Sequence, residues 1–361
     1  MKKIGLLCGG QSAEHEVSLV SAKNIFDAID KTQYEVILIG ISRSGEWYYC
    51  EKSDWLPSEP GNFTSSVEEN GVPLAVLPGK NHPKLIFIDG GASLEVDVIF
   101  PIVHGTCGED GTLQGLLTLM NIPYVGPDTL GSAVGMDKDV MKRLFIAARI
   151  KTAKYLSFLS HEREGINYGR VFDTLGSPVF VKPANLGSSV GISRAHTKDE
   201  LQEAIDHAFE FDNKILIEEA IKGRELECAV LGNEMPNSST IGEVSGCDGF
   251  YSYKAKYLDE KGAILTIPAE LDEETKNRIR SASVDTFKAL GCEGLSRVDV
   301  FLTDNDEIYV NEINTLPGFT KISMYPSLWN ESGIKYPELI HKLIELAIAR
   351  FERESSLKKT R

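Results

Sequence analysis

The sequence predicts an α/β fold, mixed α+β towards its C-terminus, that opens with a doubly wound parallel-sheet domain. A strand at residues 3–7 leads into a glycine turn at residues 9–10, and a helix is predicted from about residue 16 to residue 29. A second strand follows at residues 36–41. Strand, turn, helix and strand is the order in which doubly wound domains begin. A third run at residues 96–103 is mostly apolar, which is typical of a strand buried in a parallel sheet.

The length of the chain, 361 residues, indicates more than one domain. The composition shifts near residues 126–132, and we place the first boundary there. The predicted domains are residues 1–132, 133–213 and 214–361. Residues 49–93 are rich in Pro, Gly and Ser, so loops and a peripheral hairpin with little function are expected there. In the last segment the strongest helical pattern is at residues 273–290, and Gly291 ends it.

The charge and composition argue against several classes of protein. The net charge is -15 at pH 7, which is unfavourable for nucleic-acid binding. No apolar run approaches the about 18 residues that span a bilayer, and we expect no secretory signal at the N-terminus. The six cysteines include no CxxC pair, so neither a zinc site nor a disulfide framework is expected. These features predict a cytoplasmic protein with no membrane or nucleic-acid partner.

The most informative stretch is a predicted hairpin near the C-terminus. Residues 297–302 and 308–314 alternate as strands, and residues 304–307 form a turn cluster. If Thr303 pairs with Ile308, the polar side chains share one face as two opposed pairs, Asp299 with Glu312 and Arg297 with Asn314. The apolar side chains then share the other face, towards a core: Val298, Val300, Leu302, Tyr309 and Ile313.

Two directly opposed carboxylates, Asp299 and Glu312, repel each other, so a cation must compensate their charge. Carboxylate and amide oxygens are ligands that suit Mg²⁺, and Asn314 completes such a set. Arg297 beside them can bind phosphate oxygens. The alternative is a solvated polar face on a surface hairpin.

Two glycine-rich loops follow predicted strands. Residues 178–182 end in Lys182, and the small residues of 183–191 allow backbone N–H groups to approach a phosphate closely. The loop is not a Walker A motif, because no GxxxxGK[ST] occurs in the chain. Residues 104–111 follow the third strand, at the sheet edge where α/β proteins bind ligands. Simple turns between strands are the alternative for both loops.

Residues 249–257 combine four aromatic residues with two lysines behind a glycine. We interpret this segment as a lid that closes over a phosphate. The alternative is a strand with one apolar face.

Together these motifs resemble the D-alanine–D-alanine ligases of the ATP-grasp superfamily. The resemblance rests on residues 9–18, 104–115, 136–138 and 311–320, and it runs from Gly9 to the region of residues 324–326. Only residues 47–93 depart from it. The resemblance implies the ATP-grasp fold with three domains, ATP between the central and C-terminal ones, and a homodimer formed through the N-terminal domain.

The resemblance also implies roles for individual residues. The implied ATP-binding residues are Lys138, Lys182, Ser189, Glu218, Glu219, Ile221 and Glu225. Two Mg²⁺ ions, with Mn²⁺ as a substitute, are expected at Asp299, Glu312 and Asn314.

The implied substrate is D-alanine, used twice. Glu16 is expected to bind the ammonium of the first D-alanine with His104 nearby, and Ser188 and Tyr257 to join Glu16 in a hydrogen-bonded set that fixes the lid. Arg297 with the Gly318 N–H is expected to stabilise the oxyanion. Lys256 is expected to contact the transferred phosphate, and Ser323 with Met324 to contact the second D-alanine.

The implied reaction forms D-alanyl-D-alanine, a peptidoglycan precursor, through a D-alanyl phosphate. The protein must position the reactants, neutralise charge and exclude water from the acyl phosphate. Ligases of the same fold that use D-lactate or D-serine are the nearest alternative, and Tyr257 favours D-alanine over D-lactate. A non-catalytic nucleotide-binding protein is the alternative from another class.

Overall fold

The computed structural model describes residues 1–59, 61, 65–79, 84–246 and 263–358. Three β-sheets of seven, four and five strands follow one another along these residues. Within the same ranges, no helix is both long and apolar enough to span a membrane. The predicted lid at residues 249–257, with Lys256 and Tyr257, lies outside the described residues.

The first sheet consists of β1 (Lys2–Gly9), β2 (Tyr34–Ile41), β3 (Trp47–Cys50), β4 (Gly71–Val76), β5 (Leu85–Phe87), β6 (Ser93–Leu94) and β7 (Val98–Pro101). The strand order is β6-β5-β4-β3-β2-β1-β7, and only β1, β2 and β7 pair in parallel. Strands β3 to β6 extend the sheet as antiparallel neighbours.

The loops and peripheral hairpin expected at residues 49–93 are only part of what this segment forms, because it contributes several antiparallel strands to the sheet. Short connections join antiparallel strands, whereas a parallel pair needs a long crossover. The runs in this segment are too short and too irregular for their pairing to be read from period alone.

The helices of the N-terminal part are α1 (His15–Ala28), α2 (Val67–Asn70) and α3 (Thr112–Leu119). Helix α1 agrees within one residue with the helix predicted at residues 16–29. It buries Leu19, Ala22 and Ile25 in the core that also holds Phe100. Gly9 makes the turn before it at a φ of 92°, and an added Cβ would lie 2.2 Å from the Ile41 carbonyl oxygen. Only glycine fits this turn, which brings the start of α1 against the end of β2.

The second sheet consists of β8 (Tyr155–Leu159), β9 (Val179–Pro183), β10 (Ser193–Ala195) and β11 (Lys214–Glu219), in the order β10-β9-β11-β8. The helices α6 (Tyr168–Leu175) and α7 (Lys198–Ala208) pack on it, with a 3₁₀ turn at Ser160–Gly165. The helices α4 (Thr129–Met136) and α5 (Lys138–Ala147) precede it in the chain and pack in the core of the third sheet. Strand β11 belongs to this sheet although it follows the predicted domain boundary at 213/214. The change of sheet lies between Glu219 and Gly223, and the three-domain division itself stays a prediction.

The third sheet consists of β12 (Gly223–Gly232), β13 (Asn237–Gly246), β14 (Ala263–Thr266), β15 (Gly294–Thr303) and β16 (Ile308–Asn314). Its order is β14-β13-β12-β15-β16, and all neighbours are antiparallel. The helices of this part are α8 (Glu273–Ala289), α9 (Met324–Glu331) and α10 (Tyr336–Ser355). Ile279 and Phe287 of α8 pack on one face of the sheet, and the opposite face carries the polar groups described below.

The predicted hairpin is present as β15 and β16, with one correction. The pairs Arg297–Asn314 and Asp299–Glu312 are confirmed. Near the turn, however, Leu302 rather than Thr303 pairs with Ile308, and a β-bulge between Asp299 and Val300 takes up the extra residue.

The bulge changes which side chains of β16 face the core. Val310 is 1% exposed, so it takes the core position that was predicted for Tyr309. Tyr309 lies on the other face and is half-buried, with the Lys151 ammonium 4.3 Å from its ring centre. A bulge inserts one residue into one strand only and thereby inverts the alternation beyond it.

Candidate active site

The carboxylates of the hairpin are compensated by two cationic side chains. Arg297 donates from Nε to Asp299 Oδ1 and from Nη2 to Oδ2, both at 2.7 Å. Asn314 Nδ2 donates to Asp299 Oδ2 at 3.0 Å. Lys138 Nζ lies 3.4 Å from Glu312 Oε2. The four predicted polar residues therefore share one face, as the register required, and the carboxylates face positive charge.

These residues fit a divalent cation through the chemistry of their oxygen donors. Asp299 and Glu312 are opposed on neighbouring strands, and Asn314 lies beside Asp299. Among the described residues, no group of three or more His, Cys, Asp or Glu side chains is arranged to hold a metal ion. The candidate centre therefore consists of two carboxylates and one amide, a set that suits Mg²⁺ with water or phosphate completing the shell.

A second charged cluster lies at the junction of the two C-terminal sheets. Lys182, at the end of β9, donates to Glu218 Oε2 at 2.9 Å and lies 3.5 Å from Asn311 Oδ1. Lys138 Nζ donates to the Leu186 carbonyl at 2.8 Å, within the glycine-rich loop that follows β9. The predicted phosphate lysines, Lys138 and Lys182, thus border the same space as the hairpin.

Lys142 also belongs to this cluster and was not singled out from the sequence. Its ammonium lies 3.5 Å from Glu218 Oε1, and it donates to Thr152 Oγ1 at 2.9 Å. Burial lowers the pKa of Lys142, whereas for Glu218 the effect of burial is outweighed by Lys142 and Lys182, which hold its pKa below the usual range. The signal was available, because Lys138 and Lys142 are four residues apart on α5 and share a helix face.

The Glu218 carboxylate is buried between the ammonium groups of Lys142 and Lys182. Its Oε1 atom is buried and accepts no hydrogen bond from the residues that the structure describes. The segment from Glu218 to Glu225, which includes Ile221 in the link between β11 and β12, holds the residues predicted for adenine and ribose. The Glu219 carboxylate within it accepts the Lys154 backbone N–H at 2.7 Å.

The glycine-rich loop after β9 contacts the N-terminal part through Ser188. The Ser188 hydroxyl donates to Glu14 Oε1. Ser188 and Ser189 have φ values of 53° and 59°, a region that non-glycine residues rarely adopt and that is enriched at functional sites. The loop is therefore held in a specific conformation against the turn before α1.

The predicted contact of Ser188 with Glu16 is wrong. Glu16 forms an ion pair with Arg43 at 2.9 Å, and its side chain is 40% exposed. Glu14, only 8% exposed, faces the site instead. The two glutamates lie at the start of α1, and residues two apart on a helix point about 200° away from each other. The motif contains both, and its spacing alone could not decide between them.

His104 and Glu109 lie near Glu14. His104 is buried, with Nδ1 3.1 Å from the Leu316 carbonyl oxygen and Nε2 3.2 Å from Ser21 Oγ. Burial lowers its pKa, so the ring is neutral at pH 7.

Glu109 was quoted in the motif but given no role. Its Oε2 accepts the Gly105 N–H at 2.6 Å, and burial, reinforced by the negative charge of Glu14, raises its pKa to about 8.

The residues predicted for the oxyanion and the second D-alanine are neighbours after β16. A Cβ added to Gly318 would lie 2.8 Å from Ser323 Oγ, and that oxygen accepts the Thr320 N–H at 2.9 Å. Met324 begins α9 and is 5% exposed, packed towards Gly242. Gly318 and Ser323 are thus brought together, whereas the Met324 side chain lies mainly in the core.

Comparisons with known proteins agree with this geometry. The family described as "D-ala D-ala ligase N-terminus" matches residues 3–127, and the one described as "D-ala D-ala ligase C-terminus" matches residues 144–345. A protein of Oceanobacillus iheyensis named D-alanine--D-alanine ligase is 53% identical over 361 residues, covering 100% of this chain and 99% of the relative.

Two solved structures extend the comparison. The VanG D-Ala:D-Ser ligase from Enterococcus faecalis is 40% identical, with a TM-score of 0.86 over 96% of this chain and 99% of that chain. The D-alanine--D-alanine ligase from Bacillus anthracis complexed with ATP is 29% identical, with a TM-score of 0.74 over 98% of this chain and 100% of that chain. The similarity spans nearly the whole chain, and the ATP-grasp fold expected from the sequence is confirmed. The chain belongs to the D-alanine–D-alanine ligase family.

Proposed function

We propose that this protein joins two D-alanine molecules into D-alanyl-D-alanine, a peptidoglycan precursor, and converts ATP to ADP and phosphate. The observation that carries the proposal is the shared space bordered by the Asp299–Glu312 pair, Arg297, Lys138 and Lys182. A dense set of cations around opposed carboxylates suits phosphoryl transfer, in which positioning and charge neutralisation do most of the work.

The reaction needs two steps, each of which forms one bond and breaks another. A carboxylate oxygen of the first D-alanine attacks the γ-phosphorus of ATP, and ADP leaves. The free amine of the second D-alanine then attacks the acyl carbon, phosphate leaves with the bridging oxygen, and the proton lost by the nitrogen passes to solvent. Lys138 and Lys182 neutralise the phosphates, and Arg297 with the Gly318 N–H stabilises the oxyanion that forms on the acyl carbon.

The adenine end is assigned to the segment beyond β11. The support is the buried Glu218 carboxylate, which pairs with Lys142 and Lys182 at the start of this segment. Glu219, Ile221 and Glu225 line the same segment and complete the proposed nucleotide site together with Ser189.

Two Mg²⁺ ions, or Mn²⁺ in their place, are proposed at Asp299, Glu312 and Asn314. When bound, such ions supply charge neutralisation and orientation of the phosphates. The support is the donor chemistry of these three residues and the facing register of Asp299 and Glu312.

The first D-alanine is proposed to bind between the N-terminal turn and the loop after β9. Glu14 takes over the ammonium contact that was expected of Glu16, because it is the glutamate next to Ser188. His104 and Glu109 border this site, and Ser323 and Met324 are proposed for the second D-alanine. Lys256 and Tyr257 keep their roles in the lid as predictions, since they lie outside the described residues.

D-Serine as the second substrate is the alternative with support of its own, because one similar solved structure is a D-Ala:D-Ser ligase. D-Lactate is the third possibility, and Tyr257 argues against it. A non-catalytic nucleotide-binding protein is disfavoured, since the charged residues of the proposed chemistry are all present.

Three further proposals concern the whole molecule. The division at residues 132/133 and 213/214 is supported in outline by the three successive sheets. A homodimer through the N-terminal domain follows from the family resemblance, and light scattering in solution tests it. A cytoplasmic location is supported by the free thiols of the five cysteines in the described part of the chain.

The function is tested by mass spectrometry of the products formed from ATP, Mg²⁺ and an equal mixture of D-alanine, D-serine and D-lactate. We expect D-alanyl-D-alanine as the dominant product, with matching ADP and phosphate. D-Alanyl-D-serine or D-alanyl-D-lactate as the dominant product would overturn the choice of second substrate. Absence of any ligated product from folded, ATP-binding protein would overturn the enzyme assignment.

A further inference from the structure

Glu227 adds a third carboxylate to the row across the C-terminal sheet. On β12, β15 and β16, Glu227 is the strand partner of Asp299, and Asp299 is the strand partner of Glu312. Glu227 is 7% exposed. A buried carboxylate is costly unless it is paired with a cation. No role for Glu227 follows from the reaction described above.

Arg297 is the cation that Glu227 pairs with. Arg297 Nε lies 2.9 Å from Glu227 Oε2, and the same guanidinium grips Asp299 at 2.7 Å. One arginine thus bridges two carboxylates on neighbouring strands. The Nε–H donates to Asp299, so the contact of Arg297 with Glu227 Oε2 is an ion pair without a hydrogen bond.

In the proposed reaction the Asp299 carboxylate interacts with both Arg297 and a metal ion. Both of its oxygens accept from Arg297, and Oδ2 also accepts from Asn314. These three hydrogen bonds occupy most of the about four lone-pair positions of the carboxylate, so a metal ion at Asp299 competes with Arg297 for its negative charge. Binding of metal therefore weakens the interaction of Arg297 with Asp299, at the moment when Arg297 is required near the reacting carboxyl group.

We propose that Glu227 is a positioning residue, which holds the Arg297 guanidinium in place when Asp299 turns to the metal. Glu227 stays ion-paired with Arg297 throughout. When Asp299 is released, the buried guanidinium therefore keeps a negatively charged partner and stays in position. The inference rests on the proposed function for the metal at Asp299. Glu227 affects metal binding only indirectly, by holding Arg297.

The test is a double-mutant cycle read out by equilibrium titration of Mg²⁺ and ADP, which requires no turnover. In Glu227→Gln the arginine loses its ion pair with Glu227, depends more on Asp299 and competes harder with the metal, so we expect Mg²⁺–ADP binding to weaken about tenfold. In the Arg297→Met background the competitor is absent, and the same substitution should change binding by no more than about twofold.

A matched control is available in the same sheet. Glu243 on β13 pairs with Arg224 at 2.7 Å, but it is the strand partner of Leu226 and faces α8 instead of the site. Glu243→Gln removes a comparable carboxylate–arginine pair and should leave Mg²⁺–ADP binding unchanged. If Arg297→Met does not fold, Arg297→Lys replaces it, and the effect of Glu227→Gln should fall to less than about threefold there.

An equal loss of binding from Glu227→Gln with and without Arg297 would overturn the proposal, because a direct field effect of Glu227 on the metal would then suffice. Binding in Glu227→Gln that matches Glu243→Gln would overturn it as well. Failure of the wild-type protein to ligate D-alanine would instead contradict the proposed function, while the binding cycle would still decide the role of Glu227.

Discussion

Two stretches that carry the proposed chemistry differ in how they are built. The β15–β16 hairpin presents its polar residues from paired strands, and Asp299 faces Glu312 as counting along the strands requires. The turn before α1 presents Glu14 from an irregular segment, whereas the family resemblance assigned the role to Glu16. In a strand, side chains alternate between the two faces of the sheet, so the face of one residue determines the faces of its neighbours. In a turn, each side chain depends on its own backbone angles.

The strand pairing in the hairpin agrees only in part with the pairing predicted from the sequence. The bulge at Asn311 inverts the alternation on its turn side, so Val310 and Tyr309 exchange faces while the metal-site pairs keep theirs. The extra residue places Asn311 Oδ1 3.5 Å from Lys182 Nζ. A β-bulge next to an active site commonly re-aims a side chain in this manner.

The largest effect is expected at Glu312 in the β15–β16 hairpin. Glu312→Gln keeps the shape of the side chain and removes a charge, so ligation should fall by at least about 1,000-fold through loss of metal binding. Initial rates of ADP formation measure the loss, and circular dichroism checks that the fold is intact.

Asp304→Asn is the control in the same hairpin, because Asp304 is 85% exposed and lies 4.0 Å from Lys222. We expect it to retain full activity. Near-normal turnover in Glu312→Gln, or an equal loss in both variants, would contradict the metal assignment.

The parts of the fold that follow regular periods could be predicted from the sequence. Helix α1, the first parallel strands and the pairing at Asp299 all rest on repeats of 3.6 or 2 residues. The antiparallel extension β3–β6 could not be predicted in the same way, because its strands are short and interrupted. Contacts between distant segments, such as Ser188 with Glu14 or Lys142 with Glu218, depend on how the three sheets come together.

The next effect separates the two glutamates at α1. Glu14→Gln removes a buried charge beside Ser188, and we expect kcat/KM for D-alanine to fall about 100-fold. Glu16→Gln loses only a surface ion pair with Arg43, which should change kcat/KM by no more than about twofold. The reverse order of the two variants in steady-state kinetics would restore the original assignment to Glu16.

The bulge itself predicts a difference in stability between two adjacent residues. Val310→Ala deletes two buried methyl groups and should lower the free energy of unfolding by about 2 kcal/mol. Tyr309→Ala, at a half-buried position on the other face, should cost less, about 1 kcal/mol. Urea denaturation measures both. A larger loss for Tyr309→Ala would mean that the alternation runs through the hairpin without a bulge.

A further prediction concerns the pH dependence that Glu109 contributes to stability. Its pKa in the folded protein, about 8, lies above the ordinary 4.5, so between these values the folded chain holds a proton that the unfolded chain has released. The free energy of unfolding should therefore decrease as pH rises through this window, by at most about 1.4 kcal/mol per unit. Glu109→Gln should flatten that slope and stabilise the protein at pH 9 more than at pH 4. An unchanged slope in denaturation curves would show that Glu109 titrates normally.

The central claim is that the site activates a D-alanine carboxylate by transfer of the γ-phosphoryl group of ATP. D-Alanine labelled with oxygen-18 in its carboxyl group tests this directly, with mass spectrometry of the phosphate released during ligation. The account predicts that each phosphate formed carries one labelled oxygen, since the bridging oxygen of the acyl phosphate leaves with it. Dipeptide formation with unlabelled phosphate would contradict it.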